Sequence, residues 1–187
     1  MASKAARRGR FWNPWRIAGW GLAAFLLLLP AVAMRFTEEV VWTGSGFIVM
    51  GLLFGSVGLA VEFLVRQSDS LLYRAGAMLA LLTVFLTIWV NLAVGMIGSE
   101  DEPYNLLFGA VLLVALAGSV AARFRPAGMA LALAAAALVQ AAVGAGGLSV
   151  DRLGAVLSIA FAGPWLVAAA LFWSSASLAR HSGAADG

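Results

Sequence analysis

The sequence predicts an all-α protein, a polytopic bundle whose helices cross a membrane six times. Of its 187 residues, 63% are hydrophobic and 11% are charged, and the mean hydropathy is +0.96. A soluble domain of this length cannot bury so much apolar surface in one core, so lipid must solvate the remainder. The excess is concentrated in six apolar segments, each long enough to cross a hydrocarbon layer of about 30 Å.

Short polar connections separate these segments. A basic tail at residues 1–15 precedes the first, and a Ser/Ala-rich tail at residues 174–187, expected to be disordered beyond His181, follows the last. Pro30 is expected to bend the end of the first helix. Because the first apolar run is longer than the core of a signal peptide, we expect it to be retained as a span. The predicted spans are residues 16–34, 40–65, 71–97, 106–122, 127–143 and 153–173.

The charged residues predict how the bundle is oriented. Cytoplasmic loops of membrane proteins carry an excess of Lys and Arg. Six spans with the N-terminus inside give an N-in/C-in topology that leaves only Arg35 and Arg152 outside. The other basic residues are then cytoplasmic: Lys4, Arg7, Arg8, Arg10, Arg16, Arg66, Arg74, Arg123, Arg125 and Arg180. The outer side receives most of the acids: Glu38, Glu39, Glu100, Asp101, Glu102 and Asp151.

The connection between the third and fourth spans, residues 98–105, is named the acidic turn here. It contains three consecutive acids, Glu100, Asp101 and Glu102, followed by Pro103. Proline suits the first position of a helix, and aspartate is a good N-cap, so Asp101 is expected to cap a helix that begins at Pro103. A capped turn of this kind is rigid and suited to holding a partner.

A second pair of acids, Glu38 and Glu39, precedes the second span, with Trp42 at the membrane interface. If this connection adjoins the acidic turn, up to five carboxylates share one outer surface. Such a cluster can bind a divalent cation or gather cations at a pore mouth. The acids lack the fixed spacing of a calcium loop, so ordinary solvated loops are the simpler interpretation and a metal site stays open.

Ionisable and amide side chains inside a span need a partner or a function. Glu62 lies one helical turn before Arg66, and Arg74 begins the next span, so an ion pair or triad is the favoured interpretation over a proton or ion pathway. Asn91 in the third span is expected to hydrogen-bond across helices, with Gln140 of the fifth span as its candidate partner.

The second span is rich in glycine, and Gly51 and Gly55 form a G-x-x-x-G motif that permits close helix packing. The motif can serve a homodimer, but packing within one chain is its commoner use. This span is therefore predicted to be the most buried packing surface of the bundle.

The residue types exclude most enzymatic mechanisms. The chain has no cysteine, and its one histidine, His181, lies in the C-terminal tail. The predicted spans contain no paired carboxylates, so nucleophilic and metal mechanisms lack their usual groups. No cofactor motif is present, and we expect no catalytic residues.

Two stretches carry a resemblance to known proteins: Phe36 to Trp42 (FTEEVVW) and Trp89 to Asp101 (WVNLAVGMIGSED), together with Pro103 and Asn105. They resemble a family of uncharacterised bacterial multi-pass inner-membrane proteins over about residues 34–130. The resemblance implies no activity, and Glu102 and Tyr104 correspond to its variable positions. It implies that five residues near the outer face belong to the family pattern: Glu38, Trp42, Asn91, Glu100 and Asp101.

The leading functional prediction is a small non-enzymatic protein of the bacterial inner membrane that acts as a binding or assembly subunit of a larger complex. Its expected partners are the lipid bilayer and other membrane proteins or further copies of itself, and not nucleic acid. The alternative is a small transporter or cation-channel subunit, in which Glu62 and Asn91 line a path below an acidic outer mouth. An intramembrane enzyme is the least favoured class.

Overall fold

The computed structural model describes residues 14–38 and 42–185, and every regular element within these ranges is helical. Six helical stretches are long and apolar enough to cross a membrane, which confirms the all-α bundle with six spans. The α-helices are α1 (Pro14–Ala33), α2 (Gly44–Val65), α3 (Leu71–Ala93), α4 (Phe108–Ala121), α5 (Pro126–Gly146), α6 (Arg152–Ala160) and α7 (Ala162–Ala185). Two 3₁₀ helices, Pro103–Leu107 and Gly147–Ser149, precede α4 and α6 respectively. The chain divides into two compact units between Ala60 and Val61, within α2.

In the first unit, two side chains of α1 lie against glycines of α2. A Cβ placed on Gly51 would lie 3.6 Å from Leu27 Cδ2, and one placed on Gly58 would lie 2.8 Å from the Trp20 ring. Gly51 therefore packs within the chain, but Gly55 has no such neighbour within 4 Å. Gly58, which lies outside the predicted motif, makes the closer approach. The prediction that the second span is the most buried is wrong, because far fewer residues of α2 than of α5 are buried.

The second unit has its core between α3, α5 and α7. Helix α5 packs against α4, α6 and α7, and α7 also packs against α3. Small residues permit these approaches: a Cβ on Gly76 would lie 3.1 Å from the Phe172 ring, and one on Gly118 would lie 2.7 Å from Ala132 Cβ. The largest fully buried side chains of this core are Trp165, Tyr73, Phe108 and Phe172.

The third span is shorter than predicted. Helix α3 ends at Ala93 and not at Ile97, because Gly95 adopts a φ of +75°, a left-handed conformation that leaves the α-helix. A Cβ at this position would clash with Ser99 O and lie 2.7 Å from Asn105 Nδ2. Residues 94–98 thus belong to a structured connection that leads into the acidic turn.

The sixth span is interrupted and longer than predicted. Pro164 has no N–H to donate to Ala160 O, and its ring would clash with that carbonyl, so the helix breaks at Phe161 between α6 and α7. Helix α7 continues to Ala185, past the predicted end at Trp173. The expectation of a disordered segment directly after His181 is therefore wrong, since residues 182–185 are helical.

The tight turn between α4 and α5 places two consecutive non-glycine residues at positive φ, Arg123 at 51° and Phe124 at 57°. Such left-handed residues are unfavourable and need support from their surroundings. The Tyr73 hydroxyl donates to Phe124 O at 2.9 Å, and the Phe124 ring packs edge-on against Phe63. These contacts from α3 and the end of α2 hold the turn.

Candidate functional site

Asn105 fixes the backbone of the connection from α3 to α4. Its side chain is buried, and its Oδ1 accepts hydrogen bonds from Met96 N (3.2 Å) and Ile97 N (2.9 Å). Its Nδ2 donates to Ile97 O (3.0 Å) and Ser99 O (2.7 Å). One side chain therefore binds four backbone groups of the segment that follows α3, and one of them, Ser99 O, also accepts from Glu102 N at 3.1 Å.

The segment that Asn105 holds is also packed from behind by small residues. Ile97 is fully buried, and a Cβ on Gly147 would lie 2.8 Å from its Cδ1. Met96 O accepts a long hydrogen bond from Ser158 Oγ of α6, and a Cβ on Gly154 would lie 2.6 Å from the same oxygen. The glycines that precede and begin the sixth span therefore form a socket for the Met96–Ile97 backbone.

Asp151 joins the acidic turn to α6. Its Oδ1 accepts from Leu153 N (3.0 Å) as the N-cap of α6, and its Oδ2 accepts from Gly98 N (3.1 Å). Hydrogen bonds from the backbone N–H groups of Gly154, Gly98 and Leu153 lower the pKa of Asp151 below its ordinary value. The carboxylate is thus ionised at neutral pH and ties two connections of the second unit together.

Two residues assigned to variable positions make specific contacts. The side chain of Glu102 accepts from Tyr104 N and caps the 3₁₀ helix that begins at Pro103. The expected cap, Asp101, is therefore wrong by one residue. Tyr104 OH donates to Val143 O of α5 at 2.7 Å, so the turn is also anchored to that helix.

Glu100 and Asp101 are exposed, and within the described chain neither forms an ion pair. The structure thus presents two adjacent carboxylates on a turn whose backbone is held by Asn105, Asp151 and Tyr104. In the described part of the second unit, no three acidic or histidine side chains come close enough to hold a metal ion.

The other acids predicted for this surface belong to the first unit or lie outside the described residues. Glu38 is exposed in the bend after α1, and Trp42 precedes α2 with its ring 5.2 Å from that of Phe47. Glu39 lies outside the described residues. The five-carboxylate surface stays a prediction.

The expected contact between Asn91 and Gln140 is wrong. Asn91 Nδ2 donates to Thr87 O of its own helix at 2.7 Å, and Gln140 Nε2 donates to Ser158 O of α6 at 3.1 Å. An asparagine bonded back to its own helix satisfies itself locally, whereas Gln140 joins α5 to α6. The buried Asn91 Oδ1, Gln140 Oε1 and Trp165 Nε1 have no hydrogen-bond partner among the described residues.

The charged residues at the other end of α3 form two separate ion pairs. Arg66 pairs with Glu62 at 3.3 Å, as the four-residue spacing predicts, and the Glu62 side chain is 19% exposed. Arg74 pairs instead with Asp69 at 2.7 Å and donates from Nε to Ser68 O. Arg74 therefore fastens the short connection between α2 and α3.

Asn105, Gly95 and Asp151 are the residues of this site that the sequence interpretation left without a role. The paired glycines at positions 95 and 98 were a usable signal, because glycine is favoured where φ is positive, and Gly98 has a φ of +69°. No protein family model, curated protein or solved structure matches this chain. The resemblance over about residues 34–130 therefore stays a prediction.

Proposed function

We propose that this chain is a non-enzymatic subunit of a membrane protein complex and that it binds a partner through its acidic turn. The observation that carries the proposal is the exposure of Glu100 and Asp101 on a turn with a fixed backbone. A preorganised surface loses little conformational entropy on binding, so its charges can contribute to affinity and to partner choice. The expected partner surface carries Lys or Arg opposite these two carboxylates.

Three separate contacts hold the backbone of the turn, and the resulting rigidity supports this role. Asn105 holds the backbone from within, Asp151 holds Gly98 from the start of α6, and Tyr104 holds the turn to α5. None of these contacts uses the carboxylates of Glu100 or Asp101. Both acids are thus available for intermolecular contact.

A transport role has less support from the same geometry. The Glu62 carboxylate forms a helix-end ion pair with Arg66, where the exposed guanidinium reaches water. Asn91 uses its amide N–H on its own helix. The two polar groups expected to line a path are therefore already engaged by near neighbours.

The proposal includes the bacterial inner membrane, with both termini in the cytoplasm and the acidic turn on the outer side. The charge distribution supports this orientation, since nearly all basic residues fall on the side of the termini and the acidic turn falls opposite. A partner then meets the turn at the outer membrane surface or in an adjoining outer loop.

The proposal is tested by affinity purification from native membranes in a mild detergent. The Glu100→Gln/Asp101→Asn double variant is expected to lose a partner that co-purifies with the wild type, and raised salt is expected to weaken that partner's retention. Asp69→Asn is the matched control, since it neutralises an exposed carboxylate at the opposite end of α3. Equal recovery of the same partner with the double variant and the control would contradict the proposal.

A further inference from the structure

We propose that the second unit binds an anionic phospholipid, with one acyl chain in the groove between α5 and α7 and the headgroup at Arg125 and Arg180. This site lies away from the acidic turn, at the end of the unit where α5 begins. It does not depend on the proposed assembly role.

The groove is shallow and open, and its lining is apolar, so an acyl chain can lie along it. It has a volume of about 310 Å³ and is lined by Ala130, Leu131, Ala134, Ala169, Ala170, Trp173 and Ser174. The small, buried side chains of Ala130 and Ala169 form the base of the groove where the two helices meet. Leu131 and Trp173 are 66% and 51% exposed and form its raised sides. An open apolar groove of this kind binds a hydrocarbon chain through the apolar surface that the two bury against each other.

Arg180 supplies positive charge beside the groove. Its Cζ lies 5.6 Å from the centre of the Trp173 ring, and its guanidinium donates to Ser177 Oγ at 3.2 Å. The side chain is therefore held over a residue that lines the groove. It has no carboxylate within ion-pair distance among the described residues.

Arg125 supplies a second charge from the neighbouring helix. It immediately precedes α5 and lies five residues before Ala130, about 7.5 Å along a helix that rises 1.5 Å per residue. It is exposed, and like Arg180 it forms no ion pair within the described chain. Arg123 adds a third positive charge in the same turn.

These two features together identify the chemistry of the occupant. An apolar groove beside guanidinium groups that form no ion pair within the described chain is complementary to a molecule with a hydrocarbon chain and a negative headgroup. Basic residues at the end of membrane helices attract anionic lipids, and guanidinium groups form paired hydrogen bonds with phosphate oxygens. A neutral phospholipid fills the groove equally well but lacks the net negative charge that the arginines attract.

The test uses protein stripped of lipid in neutral detergent, titrated with phosphatidylglycerol and, separately, with phosphatidylcholine of the same chains. Native mass spectrometry counts the lipids retained by each protein molecule. We expect one phosphatidylglycerol to bind in clear preference to phosphatidylcholine. Arg125→Gln and Arg180→Gln should each weaken its binding about fivefold. The matched control is Arg152→Gln, an exposed arginine at the start of α6, which should leave the binding unchanged.

A second pair of variants tests whether the acyl chain lies in the groove. Ala170→Leu places a larger side chain in the groove at an exposed position, so it should reduce phosphatidylglycerol binding while the protein stays folded. Ala117→Leu makes the same change on the exposed face of α4 and should have no effect. Equal binding of the two lipids, equal effects of the arginine variants and their control, or a dimer that covers the groove in place of lipid would overturn the proposal.

Discussion

Replacing Asn105 with alanine tests whether one buried side chain organises the acidic turn. The change removes the acceptor of the Met96 and Ile97 N–H groups and the donor to Ile97 O and Ser99 O. Met96 and Ile97 are buried, so the released N–H groups have no ready access to water. We therefore expect the turn to open more often while the helical bundle stays folded.

The size of the effect follows from the four hydrogen bonds. Each contributes about 0.5–1.5 kcal/mol net, so their sum is about 2–6 kcal/mol. Ser99 is exposed, and water can replace the bond to its carbonyl, which lowers the cost toward about 3 kcal/mol. If the free energy of opening the turn falls by about 3 kcal/mol, amide exchange at Met96 and Ile97 becomes roughly 100-fold faster.

Hydrogen–deuterium exchange of the two amides, read by mass spectrometry, measures this change. The matched control is Asn91→Ala, which removes one bond within α3 together with an unsatisfied oxygen. This bond joins Asn91 to Thr87 of its own helix and contacts neither amide, so exchange at Met96 and Ile97 in the control should rise at most about threefold. Unchanged exchange at Met96 and Ile97 in Asn105→Ala, or equal effects of the two variants, would refute the assignment of Asn105 as the organising residue.

Three further predictions concern neighbouring features. Arg123→Gly should raise the free energy of unfolding in neutral detergent by about 0.5–1 kcal/mol, because glycine adopts positive φ without strain; a lower stability in chemical denaturation would contradict this. Gly154→Ala should lower the free energy of unfolding by about 1–3 kcal/mol, since the new Cβ would lie 2.6 Å from Met96 O. An unchanged melting temperature would refute the close packing of Gly154 against the Met96 backbone. The lowered pKa of Asp151 means that its ionised form stabilises the fold above about pH 4 and that this contribution is lost as the pH falls further. The melting temperature of the wild type should therefore fall more between pH 6 and pH 3 than that of Asp151→Asn, and parallel pH profiles would count against the link to Gly98.

The spans could be predicted because the thickness of the bilayer sets their length and its apolar interior sets their composition. Pro126 and Pro164 show where local rules succeeded and where they were not applied. Pro126 begins α5, one residue before the predicted start of the fifth span. Pro164 was left inside one continuous predicted span, and it accounts for the break between α6 and α7. The fifth span is rich in alanine, and α5 packs against three neighbouring helices because alanine permits close approach.

The site was harder to predict because its organising contacts join residues far apart in the chain. Asp151 binds Gly98 across 53 positions, and Tyr104 binds Val143 across 39. Local sequence rules located a helix start at Pro103 but assigned its cap to Asp101, since aspartate is the better N-cap by type. The backbone geometry gives that role to Glu102. Asn105 lies beside apolar residues, and only the folded turn reveals its four partners.

Native mass spectrometry of the wild-type protein, extracted gently from its own membranes, tests the central claim most directly. The acidic turn is proposed to join this chain to another membrane protein, so a stoichiometric complex with a second polypeptide is expected. That complex should dissociate when Glu100 and Asp101 are neutralised and persist when Asp69 is neutralised. A homogeneous monomer or homo-oligomer without any other polypeptide would contradict the assembly role.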